Sequence, residues 1–416
     1  MKITAVTSAV VQANFDYTYV RVHTDEGVHG TGECFPAPGL PRMLAEFGDL
    51  LIGRDPRAIT PLWKLLMAAI SGSGSSTASG IAYNAISGIE AALWDLNGKL
   101  LGVPVVRLLG GAFRGAVDVY ADLHAGGELA SLTPTMRYRR PFWLTESGQT
   151  EYGALYWEAA EEEAATAGGM IARAREAVAA GYRFMKFDLD VFAEQREAAH
   201  RGVTRADLRR LTEQTLALRQ AVGDDVGIAF DCHWRFDVPS ALAVAQAVAP
   251  AVPMWLEDPV PPEPSTHAEV ARNSPVPIAT GENTYLVEGF AALMTHRSAH
   301  ILTPDVQKTG GIGETHRIGE LAARNFLPIA PHCIASPLGL LGAVHVCAAL
   351  SNVLCLEFHG TDVPFWDALV GTGTPLIAGG KVRVPEAPGI GVELDLDTVR
   401  RYAAPGEPIF GDPPAR

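Results

Sequence analysis

The chain has 416 residues, of which 48% are hydrophobic and 19% are charged, and its formal net charge is −14 at pH 7. This length exceeds what one hydrophobic core commonly serves, so we expect two domains, and the ordinary composition argues against disorder over most of the chain. An acidic surface repels phosphate backbones, which excludes nucleic acid as a good partner but leaves room for a small anionic substrate beside a bound cation.

Two further features bear on where the protein works. No run of about 18 uncharged apolar residues occurs, so we expect no membrane span, and the N-terminus lacks the apolar stretch of a signal peptide. The five cysteines have no CxxC spacing, which favours buried thiols over disulfides or a zinc site. We therefore expect a cytoplasmic protein.

The first 115 residues predict a region of mixed α and β structure. Its predicted elements are an antiparallel hairpin over residues 18–33 that turns at Asp25-Glu26-Gly27, and helices over 41–70 and 80–101. Two histidines of the hairpin, His23 and His29, are expected at its surface, although the loops of this region could bring one of them to a neighbouring active site.

Beyond Gly110-Gly111, short β-rich runs alternate with helical patterns. The eight runs cover residues 117–120, 184–187, 227–230, 253–256, 277–279, 300–302, 327–330 and 353–356. The alternation predicts parallel βαβ units, and eight strands favour a closed (β/α)-barrel over an open doubly wound sheet. An oversized insertion at about 125–165 follows the first strand, and we expect the tail after residue 372 to return to the N-terminal region.

Polar side chains follow nearly every predicted strand of the barrel. In chain order they are Lys186, Asp231, Glu257, Glu282, Asp305, His332 and Glu357, and from Asp231 onwards the gaps are 26, 25, 23, 27 and 25 residues. A βα unit of a barrel takes about 30 residues, so one polar residue falls at the carboxyl end of each strand. In a barrel those ends form the active-site mouth.

Asp231, Glu257 and Glu282 are candidate metal ligands. Three carboxylates on consecutive strand ends offer rigid oxygen ligands with room for water and substrate, which suits Mg²⁺. Each alone would ordinarily form a salt bridge. Three buried together are costly without compensation, and a divalent cation is the simplest compensation.

Two histidines are candidates for acid–base chemistry. Residues i and i+2 of a strand face the same way, so His233 should point into the same mouth as Asp231, unless it caps a helix or orients the substrate. If Asp305 bonds to one nitrogen of His332, the other nitrogen becomes more basic. His332 is then a candidate general base, and a purely structural Asp–His hydrogen bond is the alternative.

Two more residues and one glycine-rich segment each allow two interpretations. Lys186 could bind a substrate carboxylate or simply neutralise Asp188, which shares its face of the strand. Glu357 could donate a hydrogen bond to a substrate carboxylate if it is protonated, or it could be structural. The glycines of residues 308–313 superficially resemble a phosphate loop, but their spacing does not fit and turn chemistry explains them.

Several motifs spread over the chain carry a family resemblance. They are Ser87-Gly88-Ile89-Glu90-Ala91-Ala92-Leu93-Trp94-Asp95-Leu96, Trp255-Leu256-Glu257-Asp258-Pro259, Thr280-Gly281-Glu282-Asn283 and Pro304-Asp305-Val306-Gln307-Lys308-Thr309-Gly310-Gly311-Ile312. Together they resemble the enolase superfamily, mandelate racemase subgroup. The resemblance implies a modified (β/α)₇β TIM barrel over 116–371 and an α+β capping domain from 1–115 and the tail 372–416. It also implies Mg²⁺ on the carboxylate trio, removal of the proton alpha to a carboxylate, and a homo-oligomer.

Within that subgroup, Asp231-Cys232-His233 and Ala330-Pro331-His332-Cys333 look most like the acid-sugar dehydratases, such as galactonate and mannonate dehydratase. The resemblance implies His332 with Asp305 as the base and His233 as the acid for the departing β-hydroxyl, giving a 2-keto-3-deoxy acid. Racemases of the subgroup have a second lysine where Asp188 stands. A racemase or epimerase that works through the same enediolate, with Lys186 or His233 as its second base, is the alternative.

Overall fold

The computed structural model describes residues 1–70, 80–123, 142–143, 167–189, 201–361 and 363–411 of the chain. The insertion expected at about 125–165 lies outside the described residues, except for Phe142 and Trp143. Trp143 Nε1 donates a hydrogen bond to the main-chain oxygen of Gln12 at 2.9 Å. Within the described ranges, no helix has the length and apolar character that crossing a bilayer requires. All five cysteines are buried, with free thiols.

Among the described residues 1–70 and 80–115, an antiparallel sheet is followed by four helices. They are β1 (Ile3–Gln12), β2 (Asp16–Thr24), β3 (His29–Cys34), α1 (Leu40–Leu51), α2 (Ile59–Ile70), α3 (Gly80–Leu101) and α4 (Val105–Leu108). The predicted hairpin is confirmed, with His23 opposite His29 across β2 and β3. The helical pattern over 41–70 is broken at residues 52–58, where Gly53 has a left-handed φ of +77°.

Eight parallel positions close into a barrel. In chain order its elements are β4 (Ala116–Asp122), α5 (Ala167–Ala179), β5 (Phe184–Asp188), α6 (Arg205–Val222), β6 (Gly227–Asp231), α7 (Val238–Val248), β7 (Leu256–Glu257), α8 (Pro264–Asn273), β8 (Ile278–Thr280), α9 (Leu286–His296), β9 (Ile301–Leu302), α10 (Ile312–Arg324), α11 (Pro337–Ala349) and β10 (Leu356–Phe358). Strands β4 to β9 pair in sequence, and β10 pairs with β4. Bridges from Ile329 to Leu302 and Val353 complete the ring. The predicted (β/α)₇β barrel is confirmed.

The register of the sheet brings the strand ends to one level. Asp188 lies opposite Asp231 across β5 and β6, and Asp231 lies opposite Glu257 across β6 and β7. Polar residues from consecutive βα units therefore line one rim. Beneath this rim, Trp255 is buried and packs edge to face on Tyr120, with 5.7 Å between ring centroids. The packed rings give the barrel an apolar floor below the polar residues.

Two carboxylates of the N-terminal part cap barrel helices. Glu90 on α3 accepts hydrogen bonds from Ile312 N at 2.7 Å and Gly313 N at 3.0 Å, at the start of α10. Glu33 on β3 accepts a hydrogen bond from Ser336 N at 2.9 Å, just before α11. Burial raises the pKa of both carboxyls to about 7, although the hydrogen bonds oppose the shift. These contacts fix α3 and the sheet on the barrel.

The glycine pair before α10 makes room for the Glu90 carboxylate. A Cβ atom on Gly311 would lie 2.2 Å from Glu90 Oε2, which is far inside contact distance. Gly311 also has a φ of +108°, a backbone conformation that residues other than glycine rarely adopt. Turn geometry and close approach thus account for the glycines of 308–313, as expected from the sequence.

We expect Glu90→Ala to destabilise the fold by about 2–5 kcal/mol. The change leaves Ile312 N, Gly313 N and Trp94 Nε1, which donates to Glu90 at 2.6 Å, without their acceptor. The urea midpoint of unfolding measures the effect. Glu320→Ala, on the exposed side of α10, is the matched control and should shift stability by no more than about 0.5 kcal/mol. Equal effects of the two substitutions would contradict the capping role.

The C-terminal tail contacts both the barrel and the first sheet. Its elements are β11 (Ile377–Ala378), β12 (Lys381–Arg383) and α12 (Leu396–Arg401). β12 pairs antiparallel with β4, with Lys381 opposite Asp118. Ala403 and Ile409 form bridges with β1. The last part of the tail therefore returns to the N-terminal sheet, while its hairpin lies on the barrel.

Candidate active site

The structure brings together all nine side chains that the sequence singled out at strand ends. Eight of them are buried and one, His233, is partly exposed. They are Lys186, Asp188, Asp231, His233, Glu257, Glu282, Asp305, His332 and Glu357. They gather at the carboxyl-terminal mouth of the barrel, as expected for a barrel enzyme. The hairpin histidines lie elsewhere: His23 Nε2 is 2.8 Å from Thr7 Oγ1, and His29 Nε2 is 3.6 Å from Glu393.

Asp231, Glu257 and Glu282 form a buried carboxylate trio. One oxygen from each residue lies within 4.8 Å of the others. Each carboxylate also accepts a hydrogen bond from the protein: Asp231 from His233 N at 2.9 Å, Glu257 from Trp255 Nε1 at 3.0 Å, and Glu282 from Asn283 Nδ2 at 3.3 Å. Among the described residues, Glu257 Oε1 is buried and has no hydrogen-bond partner. The trio therefore fits a divalent cation with oxygen ligands.

Lys186 lies among four carboxylates. Its Nζ is 2.9 Å from Asp231 Oδ2, 3.3 Å from Glu257 Oε2, 2.8 Å from Glu357 Oε1 and 3.7 Å from Asp122 Oδ2. Burial alone would lower the pKa of this ammonium, but the neighbouring carboxylates outweigh burial and raise the pKa well above its ordinary value. Lys186 thus supplies a fixed positive charge to the floor of the site.

His332 and Asp305 form the predicted pair. His332 Nδ1 is 2.6 Å from Asp305 Oδ2, and Asp305 Oδ1 accepts a hydrogen bond from Gln307 N at 2.6 Å. The other ring nitrogen, Nε2, faces Glu282 at 3.5 Å and Glu357 at 3.6 Å. Burial favours the neutral ring, but these carboxylates and Asp305 together raise the pKa of His332 to about 9. The geometry is that of an oriented imidazole with its basic nitrogen toward the trio.

His233 reaches the mouth by a route that strand alternation does not describe. β6 ends at Asp231, and His233 and Trp234 have left-handed φ values of 43° and 60°. Strand alternation therefore does not apply to His233, because residues 233 and 234 form a turn and not a strand. The His233 ring still faces the site, with Nε2 3.8 Å from Asp188 Oδ1 and 3.9 Å from Asp231 Oδ2. His233 follows β6, the third strand of the barrel. His332 follows the seventh strand position, at Ile329, which lies on the opposite side of the barrel.

Glu357 is held as an anion. Its Oε2 accepts a hydrogen bond from Cys333 N at 2.8 Å, and its Oε1 is paired with Lys186 at 2.8 Å. Burial opposes ionisation, but Lys186 and His332 lower the pKa of Glu357 well below its ordinary value. The hypothesis that a protonated Glu357 donates to the substrate is therefore disfavoured. Its contacts position Lys186 and the main chain beside His332.

Sequence reasoning missed four further polar residues at the mouth. They are Asp122, Lys308, His359 and Asn14, all buried. His359 follows Glu357 at the same i, i+2 spacing that drew attention to Asp188 after Lys186, so this signal was available. Lys308 Nζ donates to Asn283 Oδ1 at 2.6 Å and lies 4.0 Å from the centre of the Phe35 ring.

Comparison with known proteins agrees with this geometry. Residues 2–110 match the family model described as the mandelate racemase / muconate lactonizing enzyme N-terminal domain, and residues 169–398 match the model described as enolase C-terminal domain-like. The chain belongs to the mandelate racemase / muconate lactonizing enzyme family. The family resemblance expected from the motifs is thereby confirmed, as is the TIM barrel with an N-terminal capping domain.

Members of the family with named activities are similar over nearly the whole chain. The D-xylonate dehydratase of Haloferax volcanii is 36% identical over 413 residues, which cover 99% of this chain and 91% of that protein. The D-galactonate dehydratase of Ralstonia pickettii is 29% identical over 404 residues, covering 95% and 92%. A mandelate racemase/muconate lactonizing enzyme-like protein from Rubrobacter xylanophilus superimposes with a TM-score of 0.87 at 37% identity, covering 99% of each chain. Dehydratases are carbon–oxygen lyases of the hydro-lyase class. The present chain of 416 residues is an enzyme of this class.

Proposed function

We propose that this enzyme is a Mg²⁺-dependent dehydratase of a sugar acid of the aldonate or aldarate type. The observation that carries the proposal is the pair of histidines on opposite sides of the carboxylate trio. His332 is oriented by Asp305, and His233 faces the trio from the other side of the mouth. Loss of water from a hydroxy acid needs a base for the α-proton and an acid for the leaving hydroxyl. The names of the relatives support the substrate class.

The carboxylate trio would hold the Mg²⁺ ion. Their oxygens lie close enough to share one cation, and the buried Glu257 Oε1 lacks a hydrogen-bond partner in the described part of the chain. When bound, the ion supplies positive charge that stabilises the negative charge developing on the substrate carboxylate as the α-proton leaves. Lys186 adds a second, fixed positive charge on the same floor.

His332 would remove the α-proton. Its Nδ1–H donates to Asp305, so the lone pair on Nε2 faces the centre of the site. Against the effect of burial, the negative charges of Glu282, Glu357 and Asp305 raise the pKa of His332, so they stabilise the protonated ring that forms when it accepts the α-proton. This matters because a proton beside a carboxylate is very weakly acidic. Asp305 stabilises the imidazolium that forms, and Gln307 N holds Asp305 in place.

His233 would protonate the β-hydroxyl as its bond to carbon breaks. Hydroxide leaves poorly, and a positioned acid converts it to water. Asp188 Oδ1 and Asp231 Oδ2 lie 3.8 Å and 3.9 Å from His233 Nε2, which directs this nitrogen into the site. The electron pair from the α-carbon forms the double bond between the α- and β-carbons. The resulting enol becomes a 2-keto-3-deoxy acid.

A panel of aldonic and aldaric acids, incubated with purified enzyme and Mg²⁺, tests the proposal. Semicarbazide detects the 2-keto-3-deoxy product. The panel includes D-xylonate and D-galactonate, and we expect product from at least one of its acids. No product across the panel would refute the proposal. Deuterium incorporation at the α-carbon without water loss, read by NMR, would instead identify a racemase or epimerase.

We expect His233→Asn to separate proton removal from water loss. The dehydration rate should fall by about 10²–10⁴-fold, because the leaving hydroxyl loses its acid. Exchange of the α-proton with solvent deuterium should persist, because His332 is unchanged. His296→Asn, at an exposed position of α9, is the matched control and should leave both rates unaltered. Loss of exchange together with dehydration, in a folded variant, would contradict this division of roles.

A further inference from the structure

Three residues with a left-handed backbone meet beside the carboxylate trio. Their φ values are 43° at His233, 60° at Trp234 and 38° at Asp258. They follow the ends of two paired strands, β6 and β7. Side chains other than hydrogen make this conformation unfavourable, so it persists only where the surrounding structure holds it. Such strain concentrates at functional sites, which directs attention to what holds these three residues.

A main-chain hydrogen bond joins Asp258 to the turn that carries His233. Trp234 N donates to the main-chain oxygen of Asp258 at 2.7 Å. On the other side of the ring-bearing residue, His233 N donates to Asp231 Oδ1 at 2.9 Å. Both peptide N–H groups that flank the His233 side chain are therefore held. The direction of the imidazole depends on where Asp258 holds its carbonyl group.

The next strand of the barrel, β8, holds Asp258 in turn. Asp258 N donates to the main-chain oxygen of Ala279 at 3.0 Å, and Thr280 Oγ1 donates to Asp258 Oδ1. His267 Nε2 is 3.8 Å from the same carboxyl oxygen, but it donates to the main-chain oxygen of Val260 at 2.9 Å. Asp258 and Thr280 are both buried. The Thr280 bond therefore fixes the Asp258 side chain on β8 while the Asp258 carbonyl binds the turn.

A chain of hydrogen bonds thus runs from Thr280 through Asp258 to the His233 turn. Asp258 directly follows Glu257 on β7, and Thr280 lies two residues before Glu282. The chain therefore ties the turn to the two strands that carry the other members of the trio. A shift of the turn would displace His233 from the trio but would leave the other histidine of the site, on the opposite side of the barrel, in place.

We propose that Asp258 is a positioning residue that aligns His233 with the leaving hydroxyl of the substrate. It acts through its carbonyl group, which binds Trp234 N, and its carboxyl group keeps that carbonyl in place through Thr280. The inference rests on the proposed function, because it takes His233 as the acid. A catalytic group displaced by about 1 Å can lower a rate about 100-fold, so the loss of Asp258 should affect water loss far more than proton removal.

Three substitutions of Asp258 separate its side chain from its backbone. Asp258→Asn keeps an oxygen for Thr280 Oγ1 and tolerates the left-handed conformation, so it should retain most of both rates. Asp258→Ala loses the bond and disfavours the conformation. Its dehydration rate should fall by about 10- to 100-fold, while exchange of the α-proton with solvent deuterium should change little. Asp258→Gly restores the conformation without the bond and should lie between the two.

Substitution of Thr280 tests the same bond from the other side. Thr280→Val removes the donor and should lower dehydration selectively, whereas Thr280→Ser keeps the hydroxyl and should retain the rate. In the Asp258→Ala background, Thr280→Val should add little, because both substitutions break one bond. Asp225→Ala is the matched control for Asp258→Ala. Asp225 is exposed before β6, and its substitution should leave both rates unchanged.

NMR of ¹⁵N-labelled histidine rings tests the positioning role without requiring turnover. The His233 signal is identified by its absence from the His233→Asn protein, and the His332 signal is identified in the same way. We expect Asp258→Ala to shift the His233 signal and to leave the His332 signal unchanged. Thermal unfolding verifies that each variant is folded. A merely structural role for Asp258 would shift both signals or neither.

The outcomes separate this inference from the proposed function. Equal loss of dehydration and exchange in a folded Asp258→Ala protein, or loss of neither, would overturn the inference even if the unaltered enzyme is a dehydratase. Absence of water loss in the unaltered enzyme would reject the proposed function, and the His233 signal would then decide the positioning role alone. A His233 signal that Asp258→Ala leaves unchanged would overturn that role in either case.

Discussion

His332→Asn will lower the dehydration rate by about 10²–10⁴-fold and will abolish exchange of the α-proton with solvent. The asparagine amide can still donate to Asp305, as Nδ1 does at 2.6 Å, so the surroundings of the residue are preserved. What is lost is the nitrogen that faces Glu282 and Glu357. The product assay with semicarbazide and deuterium exchange followed by NMR measure the two effects.

His296→Asn provides the control for this substitution, since it makes the same chemical change on the exposed side of α9. Its rates should equal those of the unaltered enzyme. If exchange survives in a folded His332→Asn protein, another group removes the α-proton. The contrast with His233→Asn, which should keep exchange, then assigns the base and the acid to opposite sides of the mouth.

Glu257→Gln will weaken Mg²⁺ binding by at least about two orders of magnitude and will abolish turnover. The substitution removes one of three anionic ligands and puts an amide where Oε1 now lacks a partner. Calorimetric titration with Mg²⁺ alone measures binding directly. Chelation by EDTA should likewise stop turnover of the unaltered enzyme, and added Mg²⁺ should restore it.

Glu269→Gln, at an exposed position of α8, is the matched control and should bind Mg²⁺ as the unaltered enzyme does. Unchanged Mg²⁺ affinity in Glu257→Gln would refute the assignment of the trio. A general loss of stability is distinguished by thermal unfolding. Lys186 keeps its ion pairs with Asp231 and Glu357 in that variant, so we expect the barrel to remain folded.

The spacing of polar residues predicted much of the site because it follows the repeat of the barrel. Each βα unit adds one strand end, and parallel register puts Asp231 beside Glu257 without any long-range information. The eighth-strand closure was also predictable from the count of β-rich runs. The seventh position is weaker than expected, since only Ile329 forms bridges there. Continuous apolar sequence cannot show how many residues of a run will pair.

Other parts of the site depend on contacts that spacing does not encode. The left-handed turn at His233 and Trp234 directs the His233 imidazole into the mouth. Strand alternation assumes an extended backbone there and does not predict this turn. The ionised state of Glu357 follows from its distance of 2.8 Å to Lys186, which only the folded chain defines. The contact of Asn14 with His359 joins the two ends of the sequence, so no local pattern could reveal it.

The capping of α10 and α11 also decides whether their N-termini can bind an anion. Helix N-termini attract anions, and in many barrels those near the last strands bind the phosphate group of a substrate. Here Glu90 and Glu33 occupy these positions with carboxylates of the protein itself. The main-chain N–H groups of Ile312, Gly313 and Ser336 are therefore already bonded to the protein's own side chains. They are not available as the free donors that bind a phosphate group in other barrels.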